Sequence, residues 1–318
     1  MCYSAQVQAD YKKYVTMFGA EMSIREFYEV FYRRGLDAKI KIPKAVEASF
    51  ANPQTDDEHA IKALIDEHND KQAAKFEEEL VRQKKRLADA ERSLQSKPTK
   101  KAQEDQRIAS DKIRQLMTRH ADLKRTELLD RDSRIYPGSY VPAMIWEDGK
   151  RVIKPMRYQC RPAGKPAFYD EKYPGTYNAR RDNLEGFWKG QFGHTHGVIV
   201  CDAFYENVSR HKVEGRELAE GEAEENVVLE FRPQPRQDML IACIYSNWQS
   251  ADEELWSFAA ITDEPPAEVA AAGHDRCIIP IKEEHLDAWL TPNPKRLNGL
   301  YAILDDRQRP YYEYSMAA

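Results

Sequence analysis

The residue with the most distinctive chemistry in this sequence of 318 residues is Cys2. Removal of the initiator Met1 would leave Cys2 with a free α-amine and a thiol on adjacent carbons. Such an aminothiol attacks an aldehyde twice: the amine forms a Schiff base, and the thiolate then closes a five-membered thiazolidine ring. An α-amine titrates near ~7.7–8.0 and a thiol near ~8.5, so both groups react close to neutral pH. Position alone favours the simpler alternative, a cysteine beside Met1 with no chemical role.

Three later segments contain residues suited to acid–base or phosphate chemistry. In TYNARRDN, Asn178 offers a donor and an acceptor, and Arg180 and Arg181 suit phosphate. Glu206 closes the apolar segment CDAFYEN, where partial burial would raise the pKa of its carboxyl group and suit it to proton transfer. His274 precedes the apolar segment RCIIPI and is a natural acid or base near neutral pH. Taken singly, each also fits a structural role, as a turn asparagine, a solvent-edge carboxylate or a core histidine.

Composition limits the class of protein. The formal net charge is −5 at a sequence pI of about 6.0, which gives no global basic field but leaves room for a local basic patch. The five cysteines are widely spaced without a CxxC, which argues against a disulfide framework and for a reducing cytosol. His194 and His196 have no third ligand at a suitable spacing, so we expect no metal. The sequence contains neither a signal peptide nor a membrane helix, so we expect a cytoplasmic protein without a membrane partner.

Residues 55–133 predict a long antiparallel helical hairpin that resembles a coiled coil. Thr55 and the three acidic residues after it are typical of a helix start, and Pro98 separates two helical runs. The charges of both signs fit a solvated surface, and the alternative is an arm that contacts DNA or a protein partner. The apolar positions recur at helical spacing and form a thin stripe: Ile61, Leu64, Ile65, Phe76, Leu80, Leu87, Leu94, Ile108, Ile113, Leu116, Leu123 and Leu128.

The segments on either side of the hairpin predict an α+β fold with an antiparallel, half-open barrel-like sheet and flanking helices. Before the hairpin, MSIREFYEVFYRRG predicts a helix that Ser23 caps and Gly35 ends, and IKIP predicts a short strand. After it, EEHLDAWL predicts a helix, and five segments have strand length and composition: GVIVCDAFYEN, VVLEF, MLIACIYSNW, WSFAAIT and RCIIPI. We expect residues 1–318 to form a single domain, interrupted by the insertion at 55–133.

The order of these motifs resembles the SRAP family, the SOS response-associated peptidases or abasic site processing proteins. That family begins Met-Cys and continues through Tyr/Phe-Asn-Ala-Arg, Gly-Phe-Tyr-Glu-Trp and His-x-Arg-Met-Pro segments. The corresponding segments here are Met1-Cys2, Tyr177-Asn178-Ala179-Arg180, Ala203-Phe204-Tyr205-Glu206 and His274-Asp275-Arg276-Cys277. The resemblance covers residues 135–290 well, residues 1–54 loosely and the hairpin not at all. Tyr3 and Ser4 replace the usual Gly-Arg, whose arginine helps the family to hold DNA.

The resemblance implies a protein of the DNA damage and SOS response that captures abasic sites in single-stranded DNA. Cys2 would form a covalent thiazolidine crosslink with the sugar aldehyde, without a cofactor. His274 would promote opening of the sugar ring, Glu206 would shuttle protons, and Asn178 would position the Cys2 amine or a sugar hydroxyl. A Schiff base at an abasic site also favours β-elimination, so the resemblance implies a possible lyase side activity. The protein would then be cytoplasmic, and nucleoid-associated when bound to DNA.

The same resemblance assigns DNA-binding residues. Arg180 would hold a phosphate, with Arg181, Arg157 and Arg161 as weaker candidates, and binding would weaken with salt. Tyr158 would replace a stacking tryptophan of the family, although a buried core tyrosine fits the sequence as well.

Three other functions stay open at this point. The family's older name implies a thiol peptidase or autoprotease in which Cys2 is the nucleophile. An N-terminal-nucleophile amidohydrolase would use the same residue, although no synthetase domain accompanies it. A non-enzymatic adaptor would bind DNA with the globular part and a protein partner through the 55–133 hairpin.

Overall fold

The fold is that of a computed structural model, which describes residues 4–251 and 253–317, so Cys2 lies outside the described residues. The strands are β1 Ser4–Val7, β2 Glu21–Met22, β3 Arg134–Ile135, β4 Tyr140–Glu147, β5 Lys150–Tyr158, β6 Asn178–Arg180, β7 His196–Ser209, β8 Asn226–Gln234, β9 Met239–Gln249, β10 Glu254–Asp263, β11 Cys277–Ile278, β12 Pro280–Ile281 and β13 Tyr311–Met316. The helices are α1 Tyr11–Phe18, α2 Ile24–Leu36, α3 Lys44–Ala48, α4 Asp56–Ser96, α5 Lys100–Lys124, α6 Tyr169–Lys172, α7 Arg210–Val213, α8 Ala267–Ala271, α9 Leu286–Leu290 and α10 Leu297–Asp305. Short 3-10 turns span Asp130–Ser133, Arg181–Asn183 and Glu283–His285.

Five strands of the sheet close into a ring, in which β4 pairs with β5, β5 with β10, β10 with β9, β9 with β7, and β7 with β4. All of these pairs except β5–β10 are antiparallel. Asp148 and Gly149 make the tight turn between β4 and β5, and both have positive φ, at 50° and 82°. This is the backbone geometry that a two-residue hairpin turn requires, and Asp-Gly is a favoured pair for it.

Apolar side chains alternate along the ring strands and fill two separate clusters, as the two-residue period of a strand requires. On β7, Val198 and Val200 belong to the cluster that packs against Tyr14 and Trp289, whereas Ile199 and Cys201 belong to the other. The indole N–H of Trp289 donates to the carbonyl oxygen of Gly197 at 3.0 Å, which anchors α9 to β7. Both faces of β7 are therefore buried.

The helices α4 and α5 form the predicted hairpin, with the break at Pro98 between them. The hydroxyl of Thr55 accepts the N–H of Glu58 at 3.2 Å, and Thr99 caps α5 in the same way. Ile61 and Ile65 reach the core that also contains α1 and α2. Farther along the described part of the hairpin, the buried residues are small or polar: Gln83, Ala90, Ala102 and Ala109. Most of the hairpin therefore packs only on itself.

The α+β class, the barrel-like sheet and the inserted hairpin are confirmed, and the sheet closes more fully than the half-open barrel that we expected. Four of the five predicted strands are also present, whereas RCIIPI is divided into β11, which pairs with β10, and β12, which pairs with β9. The EEHLDAWL segment forms a 3-10 turn followed by α9. The division into one interrupted domain stays a prediction.

Three local predictions about residues 22–43 were wrong. Gly35 lies inside α2 instead of after it, because the helix continues to Leu36. The Ser23 hydroxyl makes no cap hydrogen bond and donates to the carboxylate of Glu26. The IKIP segment forms only an isolated bridge from Lys41 to Ser139, because Pro43 ends the extended segment and starts α3.

None of the helices within residues 4–251 and 253–317 is both long enough and apolar enough to cross a membrane.

Tyr14 provides a test of how α1 is held to the ring. Its side chain is fully buried, and its hydroxyl accepts the N–H of Val200 at 3.0 Å and donates to the carbonyl of Pro142 at 3.4 Å. Tyr14→Phe leaves that N–H without an acceptor, so we expect the free energy of unfolding to fall by about 1–3 kcal/mol. Urea denaturation monitored by circular dichroism measures this loss.

The matched control is Tyr32→Phe, because Tyr32 is 46% exposed on α2. We expect a change within about 0.5 kcal/mol for this surface variant. Equal stabilities of the two variants would contradict the anchoring role of Tyr14.

Candidate active site

A buried carboxylate and a buried imidazole meet at the end of the ring. Glu206 lies on β7 and His274 in the turn before β11, with 1% and 8% of their surfaces exposed. The Nε2 atom of His274 lies 3.0 Å from Oε2 of Glu206. Burial makes this contact strong, because the surroundings screen it far less than water would.

The contacts of the other ring nitrogen of His274 indicate which tautomer the imidazole adopts. Its Nδ1 lies 2.8 Å from the carbonyl oxygen of Arg276, and a carbonyl can only accept. The Arg276 N–H is farther away, at 3.3 Å. Nδ1 is therefore the protonated nitrogen, and Nε2 faces the carboxyl group of Glu206. The contact therefore places an imidazole nitrogen directly against a carboxyl oxygen, at hydrogen-bond distance.

A sharp turn brings His274 to this place. Gly273 has φ of 92°, a left-handed conformation that favours glycine. A Cβ atom at this position would also lie 3.2 Å from the side chain of Lys212. Lys212 belongs to α7, which directly follows the strand that carries Glu206. The close approach of α7 to this turn therefore positions the histidine relative to the carboxylate.

Asn178 lies on the other side of β10 from β11, the strand that follows His274. Its strand β6 runs parallel to β10, with Asn178 beside Ala260. The side-chain oxygen of Asn178 accepts the hydroxyl of Thr262, and Thr262 also pairs with Ile278 of β11. The amide nitrogen Nδ2 of Asn178 is buried and has no hydrogen-bond partner within residues 4–251 and 253–317. It is therefore an N–H donor available to a group outside that set.

The segment after β6 also contacts the segment before β11. Asp182, in the 3-10 turn after β6, lies 3.6 Å from Arg276, which directly precedes β11. This contact joins the turn after Asn178 to the turn that carries His274. Asn178 and the Glu206–His274 pair therefore lie at one end of the sheet.

The first described residue is next to this site. Ser4 pairs with Tyr205, the neighbour of Glu206, in the antiparallel β1–β7 ladder. Arg134 donates to the Ser4 hydroxyl at 3.1 Å, and its guanidinium lies 3.7 Å from the centre of the Tyr205 ring. Gln6 accepts the Tyr205 hydroxyl at 2.9 Å. These contacts fix β1, and Cys2, outside the described residues, precedes Ser4 by two positions.

Arg134, Gln6 and Thr262 support the site without lying in its sequence motifs, so they were not predicted. Tyr205 lies in the AFYE motif, but the motif does not indicate that the Tyr205 ring packs against Arg134. The signal that was available for Thr262 is its place at the end of the apolar segment WSFAAIT, next to the last residue of β10, Asp263.

The four described cysteines are not suitable nucleophiles. Cys160, Cys201, Cys243 and Cys277 are all buried. Burial raises the pKa of the Cys160 thiol to about 12, and it raises the pKa values of the other three thiols above their usual range. All four therefore stay protonated at neutral pH, whereas the thiolate is the reactive form.

The predicted DNA-binding arginines fall into two groups. Arg180 is half exposed and pairs with Asp182 at 2.5 Å, so solvent and a phosphate can both reach it. Arg181 is less exposed and bridges Asp263 at 3.0 Å and Asp305 at 2.5 Å. They follow Asn178 in the chain by two and three positions.

Arg157, Arg161 and Tyr158 are placed differently. Asp170 lies 2.8 Å from Arg157 and 2.6 Å from Arg161, and Arg161 also covers the Trp248 ring at 4.4 Å. Tyr158 is 2% exposed, with its ring 5.2 Å from that of Phe258. These placements fit structural roles and give the predicted DNA contacts of the three residues no support.

One group of side chains within the described residues has the spacing of a metal site: Glu284, His285 and Asp306. It is exposed, and Asp306 already contacts Lys282 at 2.6 Å and His285 at 2.8 Å. An exposed ion-pair network accounts for this arrangement, and we assign no metal to it.

Comparisons with known proteins give the following relationships. The sequence profile of the family described as SOS response associated peptidase (SRAP) matches residues 97–316, which contain Asn178, Glu206 and His274 but not Cys2. The match includes α5, so the expectation that the family resemblance leaves out the whole hairpin was wrong. No curated protein matches the chain. A protein from Bordetella bronchiseptica is similar in structure, with a TM-score of 0.46 and 17% identity over 58% of this chain and 87% of that one. A protein from Bacteroides thetaiotaomicron has a TM-score of 0.45 and 14% identity, over 60% of this chain and 80% of that one. A phage-related protein from Bordetella bronchiseptica has a TM-score of 0.43 and 18% identity, over 58% of this chain and 81% of that one.

The network around Asp170 predicts a structural rather than a DNA-binding role. Burial alone would raise the pKa of Asp170, but hydrogen bonds from Arg161 and Arg157 outweigh it and lower the pKa. A carboxylate with a lowered pKa stabilises the fold at neutral pH, and this contribution disappears as the pH falls through that pKa. Asp170→Asn leaves two arginines without their carboxylate, so we expect a loss of about 3 kcal/mol or more at pH 7.

Urea unfolding from pH 7 down to pH 3 measures this loss, and the difference between wild type and variant should shrink at the acid end. Asp182→Asn is the control, because Asp182 is 56% exposed and its pair with Arg180 is worth about 0–1 kcal/mol. If Asp170→Asn were as stable as the wild type at pH 7, the two arginines would be free for another role.

Proposed function

The chain belongs to the SOS response associated peptidase (SRAP) family, and from this premise we propose that it captures abasic sites in single-stranded DNA through Cys2. Family membership supports a role associated with DNA damage. The finer proposal concerns the chemistry: a thiazolidine crosslink between Cys2 and the sugar aldehyde, formed in the cytoplasm on damaged DNA.

One observation carries this proposal, the buried Glu206–His274 contact beside the start of β1. A carboxyl group and an imidazole side by side suit Schiff base formation, because protons must leave the amine and reach the departing hydroxyl. Two peptide units span at most about 7.6 Å, so Cys2 is within reach of groups near Ser4.

The first step frees the aldehyde. An abasic deoxyribose is mostly a closed hemiacetal, and its ring opens when the ring oxygen gains a proton and the C1′ hydroxyl loses one. His274 would deliver a proton to the ring oxygen, and the Glu206 carboxylate would take the proton that the C1′ hydroxyl loses and pass it to His274. Both oxygen atoms stay on the sugar, so opening is an isomerisation that consumes nothing.

The next steps join protein and DNA. The Cys2 amine, unprotonated, adds to C1′ and gives a carbinolamine, which loses water to form the Schiff base. The Cys2 thiolate then adds to the same carbon, and the imine nitrogen takes a proton. One C–N and one C–S bond form, one water leaves, and no oxidant, reductant or metal takes part.

Asn178 would hold the reacting groups in position. Its Nδ2 atom lacks an acceptor among the residues that the structure describes, and its orientation is fixed by the Thr262 hydroxyl. An N–H donor so oriented suits a sugar hydroxyl, or the amine nitrogen of Cys2 in its unprotonated form. Loss of the 3′ phosphate from the Schiff base would give the lyase side reaction.

Phosphate binding in this proposal rests mainly on Arg180, which is the most exposed of the predicted arginines and follows Asn178 by two residues. Such contacts release counterions, so non-covalent binding should weaken as salt increases. The helical hairpin stays available for a protein partner.

The thiol peptidase and amidohydrolase remain the alternatives, since either would also use Cys2 as the nucleophile. They differ from the proposal in the substrate, a peptide or glutamine amide instead of an aldehyde. Both need the thiol to attack, whereas the proposed reaction begins at the amine.

A crosslinking assay tests the proposal. Purified protein, with loss of Met1 verified by mass spectrometry, is incubated with single-stranded DNA that carries one abasic site, and with the intact strand. We expect a band that survives a denaturing gel only with the abasic strand, and none with Cys2→Ala.

Cys2→Ser separates the amine from the thiol. Since serine keeps the amine, we expect a Schiff base that sodium borohydride traps, but no crosslink without the reductant. A protein that lacks Met1 and still forms no adduct with the abasic strand would overturn the proposal, and hydrolysis of a peptide or of glutamine would favour the alternatives.

Glu206→Gln and His274→Ala test the proton pair. General acid–base catalysis contributes about 10²-fold or more, so we expect the crosslinking rate to fall by that factor. The dissociation constant for intact single-stranded DNA, measured by fluorescence anisotropy, should change less than about threefold. Weaker binding with an unchanged crosslinking rate would contradict the assigned roles.

A further inference from the structure

A cavity of about 600 Å³ lies at the base of the helical hairpin, away from the Glu206–His274 site. Its walls come from α2, from α3 and the segment before it, from α4, and from the end of α5 and the segment after it. A cavity of this size is in the range of small-molecule sites. Its apolar walls include Ile40, Ile42, Ile65, Phe76 and Leu123.

Arg34 on α2 is the key residue of this cavity. Its side chain is 4% exposed, and one nitrogen, Nη1, binds the carboxylate of Glu47. The other two nitrogens, Nε and Nη2, are buried and have no hydrogen-bond partner in the part of the chain that the structure describes. Leaving such N–H donors unsatisfied is costly, more so on a charged group.

The charge around the cavity has the opposite sign to that of the whole chain. The lining includes seven lysines or arginines and three acidic residues, whereas the chain carries a formal net charge of −5. The acidic residues are already engaged: Glu47 with Arg34, Asp66 with Lys62, and Asp122 with Arg125. Lys44 also donates to the carbonyl oxygens of Asp122 and Leu123, and the lining as a whole keeps an excess of positive charge that favours an anion.

His68 adds a neutral polar group to the same wall. Burial and the nearby charges of Arg34, Lys75 and Lys71 lower the pKa of His68 to about 4, so its ring is uncharged at neutral pH. A neutral imidazole offers both a donor and an acceptor.

We propose that this cavity binds a small organic oxyanion, a carboxylate or phosphate monoester on a short apolar body, with its head on Nε and Nη2 of Arg34. A guanidinium edge with two free N–H groups matches two oxygens of such a head group. The apolar walls then cover the body of the ligand. Because the walls join α2 and α3 to both hairpin helices, an occupied site holds the base of the hairpin to the barrel.

Isothermal titration calorimetry of the full-length protein tests this site with three probes: phenyl phosphate, phenylacetate and the neutral 2-phenylethanol. We expect one site that binds phenyl phosphate, phenylacetate or both, with a higher affinity for one of them that identifies the preferred head group. We expect no detectable heat from the alcohol. Raising NaCl should weaken binding, because salt screens the charges that surround the anion.

Arg34→Met keeps the apolar part of the side chain and removes the guanidinium group. We therefore expect the dissociation constant of the bound oxyanion to increase about tenfold or more. Arg33→Met is the matched control, since Arg33 precedes Arg34 on the same helix but binds Glu253 at 3.4 Å and the carbonyl of Glu254 at 2.9 Å. The double variant Arg34→Met, Glu47→Gln avoids an unpaired buried carboxylate if the single variant fails to fold.

A measurement on the wild type does not depend on these variants. Phenyl phosphate or phenylacetate should shift the NMR signals of the His68 ring, identified by their loss in His68→Gln. The proposal is overturned if neither oxyanion binds at millimolar concentration, if Arg34→Met and Arg33→Met bind equally, or if the His68 signals do not move. Binding of the alcohol with equal affinity would also overturn it, because the site would then be merely apolar.

Discussion

The fourteen-residue strand β7 is the constraint on which the rest of the structure depends. It pairs with β4 and β9 within the ring, and with β1 and β8 farther along. Because both of its faces are buried, its register can change only by moving a whole set of apolar side chains into the wrong cluster. Glu206 is fixed by the same register, so the position of the carboxylate follows from packing that surrounds it on every side.

Burial also explains why Glu206 and His274 must be considered together. A lone carboxylate at 1% exposure would be strongly disfavoured as an ion, but an imidazole 3.0 Å away can share its proton. The carbonyl of Arg276 sets the histidine tautomer, and the Gly273 turn aims the ring. The fold itself therefore holds the two side chains in contact, so the proposed reaction would need no large movement to bring them together.

The sequence predicted the strong periodic elements and missed those whose signals are short or depend on distant contacts. The hairpin and the strands around Glu206 have long apolar patterns, and they form where expected. The β4–β5 hairpin was missed although Asp148-Gly149 is a recognisable turn, since its strands carry Pro142 and Pro155. Arg134 could not be found, because its contacts with Ser4 and Tyr205 join residues far apart in the chain.

Burial also decides which cysteines can react. The four described thiols are buried, and burial raises their pKa values until the thiolate is scarce. The nucleophile of the proposed reaction would therefore come from a residue that the core does not enclose. Cys2 precedes Ser4 by two positions, and Ser4 is held beside the neighbour of Glu206 by β1 and Arg134. In the proposed reaction, the N-terminal strand β1 would position Cys2 beside the Glu206–His274 pair.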